Sequence, residues 1–319
     1  MRDRVDVLRH VLIVLLLLSA EPAWPGSALA RQLAADHHAQ ATAPPTAPAL
    51  SVTVTARAVQ PGEVMRIDLH TSAPLARARV RVFEEVIQAV SFDPDTWRAL
   101  VGIDLNVAPG EYPMTIEGTT AAGVSVTRGE TLTVAPKEFP TRTLKVDPRF
   151  VTPPKSARAR IEREARRLGA IFATERAGQA WPGPFAVPIE GAVVSGFGVR
   201  SVYNGQPRSP HGGADFSSPT GTPVGAPAPG TVVLASSLYF TGDTVVLDHG
   251  GGLYSLFAHL SATEVKEGAR VERGDLIGAV GATGRVTGPH LHWTVRLHMA
   301  RVDPISLVYA TAEDNDATP

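Results

Sequence analysis

Short runs in which apolar and polar residues alternate dominate this chain, and they predict a mainly β protein. Ser51-Val52-Thr53-Val54-Thr55 alternates, and so do Val64 to Leu69 and Arg79 to Phe83. Leu100 to Val107, Tyr112 to Ile116 and Thr131 to Val134 continue the pattern, with turn signals at Pro61-Gly62, Asp93-Pro94, Pro109-Gly110 and Ala122-Gly123. Alternation with turns at this spacing predicts an all-β sandwich over residues 50–135. A second β-rich stretch, full of glycine, runs from Trp181 to Tyr309. Its strands are expected at Ala192–Ser195, Thr231–Ala235, Thr244–Asp248, Leu253–His259, Leu276–Val280 and His290–Leu297, with helical periodicity nearly absent.

One segment breaks the alternation. Ile161, Ala165, Leu168, Ile171 and Phe172 fall at helical spacing, so residues 156–175 are expected to form a helix. Glu162 with Arg166, and Arg163 with Arg167, give its exposed face mixed charge. This helix belongs to a Pro-punctuated connector, residues 136–180, between the sandwich and a second domain at 181–310. The first sandwich is similar in pattern to an immunoglobulin-like accessory domain, without the cysteine pair that such domains often carry.

The termini read differently. Arg2, Arg4 and Arg9 precede the apolar run Val11–Ala20, and the small-residue sequence Ala28-Leu29-Ala30 follows. A positive start, an apolar core and an A-x-A site make residues 1–30 a secretory signal, cleaved after Ala30. The apolar run is half the roughly 20 residues a spanning helix needs, and no membrane span is expected after cleavage. Residues 31–49, rich in Ala, Pro, Thr and His and containing His37 and His38, read as a flexible linker. Residues 311–319 read as a disordered polar tail.

Composition narrows the function classes. At 319 residues the chain is long enough for two cores. The formal net charge of -1 gives no global field toward nucleic acid or an anionic membrane. Cysteine is absent, which excludes disulfides, thiolate nucleophiles and Cys-type zinc sites. A metal must then be held by histidine and carboxylate.

Two segments supply that donor set: His211-Gly212-Gly213-Ala214-Asp215 and His290-Leu291-His292. On a strand beginning at His290, alternation sends His290, His292, Thr294 and Arg296 to one face and Leu291, Trp293, Val295 and Leu297 to the other. One face is core and the other delivers two imidazoles to a cleft. Gly212 and Gly213 let His211 and Asp215 converge on one point. His211, Asp215 and His292 are the expected metal ligands, leaving a fourth position for water, as in a catalytic zinc site. No His-Glu-x-x-His helix supplies a base, and His259 and His290 are the substitutes for proton transfer.

Several segments together make the chain similar to the lysostaphin-type (LytM-like) zinc metalloendopeptidases. They are Pro188-Ile189 through Ser195-Gly196-Phe197-Gly198-Val199-Arg200, His211-x-x-x-Asp215, Thr220-Gly221-Thr222-Pro223-Val224, Tyr254 to Leu260, and Thr287-Gly288-Pro289-His290-Leu291-His292. The resemblance covers about 125 residues, from Pro188 to near Leu307, in the family's motif order. It implies a C-terminal antiparallel β domain with a groove across its sheet, Zn2+ on His211, Asp215 and His292, and catalytic roles for His259 and His290. It also implies a peptidoglycan hydrolase acting on peptide stems and cross-links, which the signal segment makes periplasmic or extracellular. A cysteine-free secreted chain without an obvious wall-targeting module favours a D-Ala to diaminopimelate bond, with a glycine bridge as the alternative. Residues 201–210 depart from many relatives and individualise the groove wall, where Tyr203 stands in for a tyrosine that some relatives place near the oxyanion.

Other readings compete. A non-catalytic relative would bind peptidoglycan and activate a cell-wall amidase, and the sandwich offers a surface for a regulatory protein partner. A cupin-type oxygenase lacks its carboxylate after His292, where Trp293, Thr294, Val295 and Arg296 follow. A lipoyl-type carrier would need a lysine at a hairpin tip, and Lys266 is the lone lysine of the second domain. His249 is expected in a turn, His298 at a hairpin end, His70 alone, and Glu84-Glu85 on a solvated strand edge.

Overall fold

In the computed structural model, the described residues are 49–313 apart from 94, 146–150 and 177–182. The signal segment, nearly all of the linker, Pro94 of one turn, parts of the connector, residues 181–182 and the last six residues of the tail lie outside them. The described residues belong to one compact unit.

The N-terminal strands are β1 (Leu50–Ala56), β2 (Val64–Thr71), β3 (Leu75–Val82), β4 (Glu85–Ser91), β5 (Thr96–Gly102), β6 (Gly110–Thr120) and β7 (Ser125–Val134). They form one antiparallel sheet in the order β1-β2-β5-β4-β3-β6-β7. β4 pairs with β3 through residues 85–89 and with β5 through Val90 and Ser91, which joins the two halves. Met65, Ile67, Val80, Ile87, Val101, Met114 and Ile116, at alternate positions of five strands, pack into a shared core. β4 was not expected from sequence. The β3–β4 turn contains Phe83 and Glu84, both at positive φ, without the Gly, Asn or Pro that marks such a turn. Glu84 is thus a turn residue. His70 is not alone: its Nδ1 meets Thr96 Oγ1 across the β2–β5 pair.

The connector holds β8 (Thr141–Leu144) and a helix, α1 (Arg158–Phe172). The expected helix is therefore present but shorter. Its exposed face pairs Arg160 with Glu164 and Arg167 with Glu267. β8 was not expected from sequence: it runs parallel to β10 (Arg200–Tyr203), which also pairs with β11 (Gln206–Pro207).

The remaining strands are β9 (Val193–Ser195), β12 (Ala214–Phe216), β13 (Pro223–Gly225), β14 (Gly230–Leu238), β15 (Gly242–Gly250), β16 (Leu253–Thr263), β17 (Arg270–Val271), β18 (Leu276–Val280), β19 (Leu291–Leu297) and β20 (Ala300–Val302). Their main path is β17-β14-β15-β16-β19-β12-β9. Leu291, Trp293, Val295 and Leu297 are all essentially buried on the expected core face. The opposite face carries Tyr254, Leu256 and Ala258, whose cross-strand partners are Arg296, Thr294 and His292. Leu168, Ile171 and Phe172 of α1 pack on Tyr254, Leu256 and their neighbours. Phe172 also stacks edge-on against Tyr254 and lies 5.5 Å from the Arg296 guanidinium. The helix thus covers one end of this face.

A final helix, α2 (Pro304–Thr311), was not expected from the nearly absent helical periodicity, and it takes in Thr311 of the expected tail. Asp303 caps it, accepting from Ile305 N–H, with Pro304 at its first position. Val64 N–H donates to Ser306 Oγ, Asp303 N–H donates to Gly62 O, and Arg301 pairs with Asp104. These bonds fasten the two large sheets together. His249 is a further correction: it is a buried β15 residue held by Pro229 O and Ser255 Oγ, and burial lowers its pKa to about 4. His298 lies in the β19–β20 turn at positive φ, as expected.

Candidate metal centre and active site

The uncovered end of the α1-bearing face holds the cluster. Asp215 of β12 sits directly opposite His292 of β19, so both side chains leave the sheet on the same side. His211 arrives from the loop before β12, where its N–H donates to Val199 O and its C=O accepts from Gly198 N–H. Gly213 makes this approach possible: a Cβ there would stand 2.2 Å from Trp293 O.

The three expected ligands come together. His211 Nε2, Asp215 Oδ1 and His292 Nδ1 form a triangle with sides of 3.0, 2.8 and 3.0 Å. His211 Nδ1 lies 2.9 Å from Gly196 O and must donate to it, because a carbonyl only accepts. The neutral ring therefore turns a lone pair from Nε2 toward the Asp215 carboxylate. Two lone pairs facing at 3.0 Å repel unless a proton or a cation lies between them. Ligands about 2.0–2.1 Å from a tetrahedral zinc stand about 3.3 Å apart, close to the observed sides. The second ring nitrogen of His292 is also engaged, 2.9 Å from Thr294 Oγ1, which fixes that ring as metal-ligating histidines require. The donor set fits a divalent cation with nitrogen and oxygen preference.

Electrostatics agree. Burial opposes ionisation of Asp215, and the contacts with His211 and His292 overcome it, holding the carboxyl well below the usual range. Burial lowers the pKa of His292 against the pull of Asp215. The site thus keeps a charged oxygen beside a neutral nitrogen, as a cation needs.

Both remaining imidazoles reach the same place. His290 Nδ1 donates to Gly288 O at 2.9 Å, leaving Nε2 3.8 Å from Asp215 Oδ1. His259 arrives less directly. Ala258 pairs with His292 and shares its face of the sheet, so simple alternation would send His259 to the core. The β15–β16 register slips here, and His259 adopts φ 65°. That bulge re-aims the ring, placing it 4.9 Å from His290 and 5.9 Å from His292, centroid to centroid. Its Nδ1 donates to Thr283 O at 2.9 Å, and burial lowers its pKa to about 3, so Nε2 carries a lone pair.

A groove opens over these five residues. Its walls include Val194, Tyr203, Phe240 and Arg285, with Arg142 from the connector strand β8. Tyr203 is therefore on the groove, as the sequence suggested. Arg142, Phe240 and Arg285 were missed. Arg285 left a readable signal, a single long cation in an otherwise small-residue loop before His290. Gly284 lets that loop press on the 240–242 turn, since a Cβ would meet Gly242 N at 2.4 Å.

Comparison with known proteins now decides the family. The sequence profile of peptidase family M23 matches residues 209–304. A solved structure from Pseudomonas aeruginosa assigned to M23 is 36% identical with a TM-score of 0.60, covering 79% of this chain and 96% of that one. The chain belongs to peptidase family M23. Its C-terminal sheet is the antiparallel β architecture of that family. Among curated relatives, the DD-carboxypeptidase/endopeptidase Mpg of Neisseria meningitidis serogroup B is 43% identical over 103 residues, covering 32% of this chain and 24% of that protein. The peptidoglycan DD-endopeptidase ShyA of Vibrio cholerae serotype O1 is 36% identical over 146 residues, covering 46% and 32%. These matches span about a quarter to a third of the curated relatives' length. In this M23 chain, the matched segment includes His211, Asp215, His259, His290 and His292, and all five line the groove. No helix among the described residues is long and apolar enough to cross a membrane.

Proposed function

We propose that this M23 protein is an exported, zinc-dependent endopeptidase that hydrolyses peptide bonds in peptidoglycan cross-links. One observation carries the reading: three donor atoms from two distant segments stand within 3.0 Å of one another, beside two imidazoles whose Nδ1 atoms are tied to backbone carbonyls. His211, Asp215 and His292 hold the ion. When bound, zinc supplies Lewis acidity at the scissile carbonyl and toward water.

The chain's own groups do the rest. Gly196 O and Thr294 Oγ1 orient the two ligand rings. Thr283 O and Gly288 O hold His259 and His290 so that each presents Nε2 to the groove. One Nε2 withdraws a proton from the attacking water, and the other delivers a proton to the departing amine or steadies the developing oxyanion. Val194 and Phe240 line the groove with apolar surface that displaces water around the bond.

The signal segment at 1–30 places the protein in the periplasm or outside the cell. We read β1–β7 as an immunoglobulin-like accessory unit, supported by β4 bridging two half-sheets over one core. Its role is contact with peptidoglycan or a regulatory protein. The alternative, a non-catalytic amidase activator, is disfavoured because the donor set and both proton-transfer groups are present together.

Purified sacculi test the reading. Incubation with the full-length protein should convert cross-linked muropeptide dimers to monomers, seen by mass spectrometry. A chelator should stop the conversion and added zinc restore it. Unchanged dimers with zinc present, or release only when an amidase is added, would contradict it.

A further inference from the structure

The groove contains a cation with no anionic partner among the described residues. Arg285 is half-buried on the groove wall, with its guanidinium carbon 4.4 Å from the centroid of Phe240 and its backbone N–H bonded to Phe240 O. Among the described residues, the charged and phenolic groups that act on it are Tyr203, Tyr239 and Arg208, with no carboxylate among them. Burial, reinforced by Arg208, holds its pKa below the ordinary arginine value. Arg142 adds a second guanidinium to the same groove, bonded through Nε to Ser201 Oγ at 3.2 Å. Among the described lining residues the one carboxylate, Asp215, is taken by His211 and His292. A guanidinium keeps its charge under all ordinary conditions. Partly withdrawn from water and unpaired, it costs free energy that an incoming anion would recover. The aromatic face of Phe240 fixes the guanidinium and leaves its planar fork available for bidentate bonding.

We infer that Arg285 binds a free carboxylate on the carbon that bears the scissile nitrogen, with Arg142 strengthening the positive field of the groove. The inference rests on the endopeptidase reading. A cross-link onto the D-centre of diaminopimelate carries this carboxylate, and so does the terminal residue of D-alanyl-D-alanine. A glycine bridge has none. Arg285 thus makes the groove select for DD-type bonds with an unamidated acceptor.

Three synthetic substrates test this with the zinc-loaded full-length protein. They are a D-alanyl-diaminopimelate dimer with the carboxylate free, the same dimer amidated there, and a pentapeptide ending in D-alanyl-D-alanine. The wild type should prefer the free over the amidated dimer by about 10- to 100-fold in kcat/KM. In R285Q that ratio should fall toward one, and R285K, which keeps the charge without the fork, should retain part of it. Arg285-dependent cleavage of the pentapeptide assigns the site to either carboxylate, and refusal of the pentapeptide assigns it to the cross-link alone. A wild-type ratio near one, or a ratio that R285Q and R285K leave unmoved, overturns the inference. Failure to cleave either dimer overturns the endopeptidase reading instead.

Discussion

His211 Nε2 and His292 Nδ1 lie 3.0 Å apart although 81 residues separate them in the chain. Neither ring is placed by the other. Gly196 O fixes His211, and Thr294 Oγ1 with the β12–β19 register fixes His292. Backbone and neighbouring side chains thus orient both rings toward one point, the support that ligands of a metal site require.

Thr294 is the more accessible of these supports to mutation. T294V keeps the shape of the side chain and removes the hydroxyl next to His292 Nε2. Zinc affinity should fall about 10- to 100-fold, measured by competition with a chromophoric chelator. Undiminished affinity would show that Thr294 does not orient the ring.

His259 stands apart from the three ligand atoms, with its Nδ1 tied to Thr283. H259A should retain zinc and lose about 100- to 10,000-fold in kcat on a cross-linked muropeptide. Loss of zinc from this variant would make His259 a ligand rather than a proton-transfer group.

Glu63 couples the two sheets and predicts a pH dependence of stability. It is 2% exposed and pairs with Arg57 at 2.8 Å and Lys137 at 2.6 Å. Burial opposes its charge, and the bonds from Arg57, Lys137 and Ser306 outweigh that, so its folded pKa is lowered. A lowered carboxyl pKa stabilises fully above the unfolded value of about 4.3 and loses that contribution as pH falls through the folded value. E63Q should therefore cost about 3 kcal/mol at pH 7, with the gap to wild type closing as the pH drops below about 4. Urea unfolding across that pH range checks it, and a pH-independent gap would contradict it.

Much of the site was legible because strand periodicity is strict. Alternation along His290–Leu297 alone assigned the core and groove faces, and the buried row from Leu291 to Leu297 follows it. His259 was assigned to the site by its motif, since periodicity points it into the core and only the bulge at positive φ turns it out. β4 was hidden because Phe83 and Glu84 make a left-handed turn without turn-type residues. α2 was hidden because eight residues span too few turns for periodicity to register, although Asp303-Pro304 is a helix-start signal. Arg142 could not be placed in the groove from sequence, because β8 joins β10 by a parallel pairing that local pattern does not encode.

The most direct test of the whole account is the zinc content of the purified full-length protein beside D215A and H292A, read by inductively coupled plasma mass spectrometry on the same samples assayed for muropeptide cleavage. The account predicts one tightly held zinc per wild-type chain and neither zinc nor cleavage in the two variants. Wild-type zinc or wild-type cleavage in D215A would contradict it.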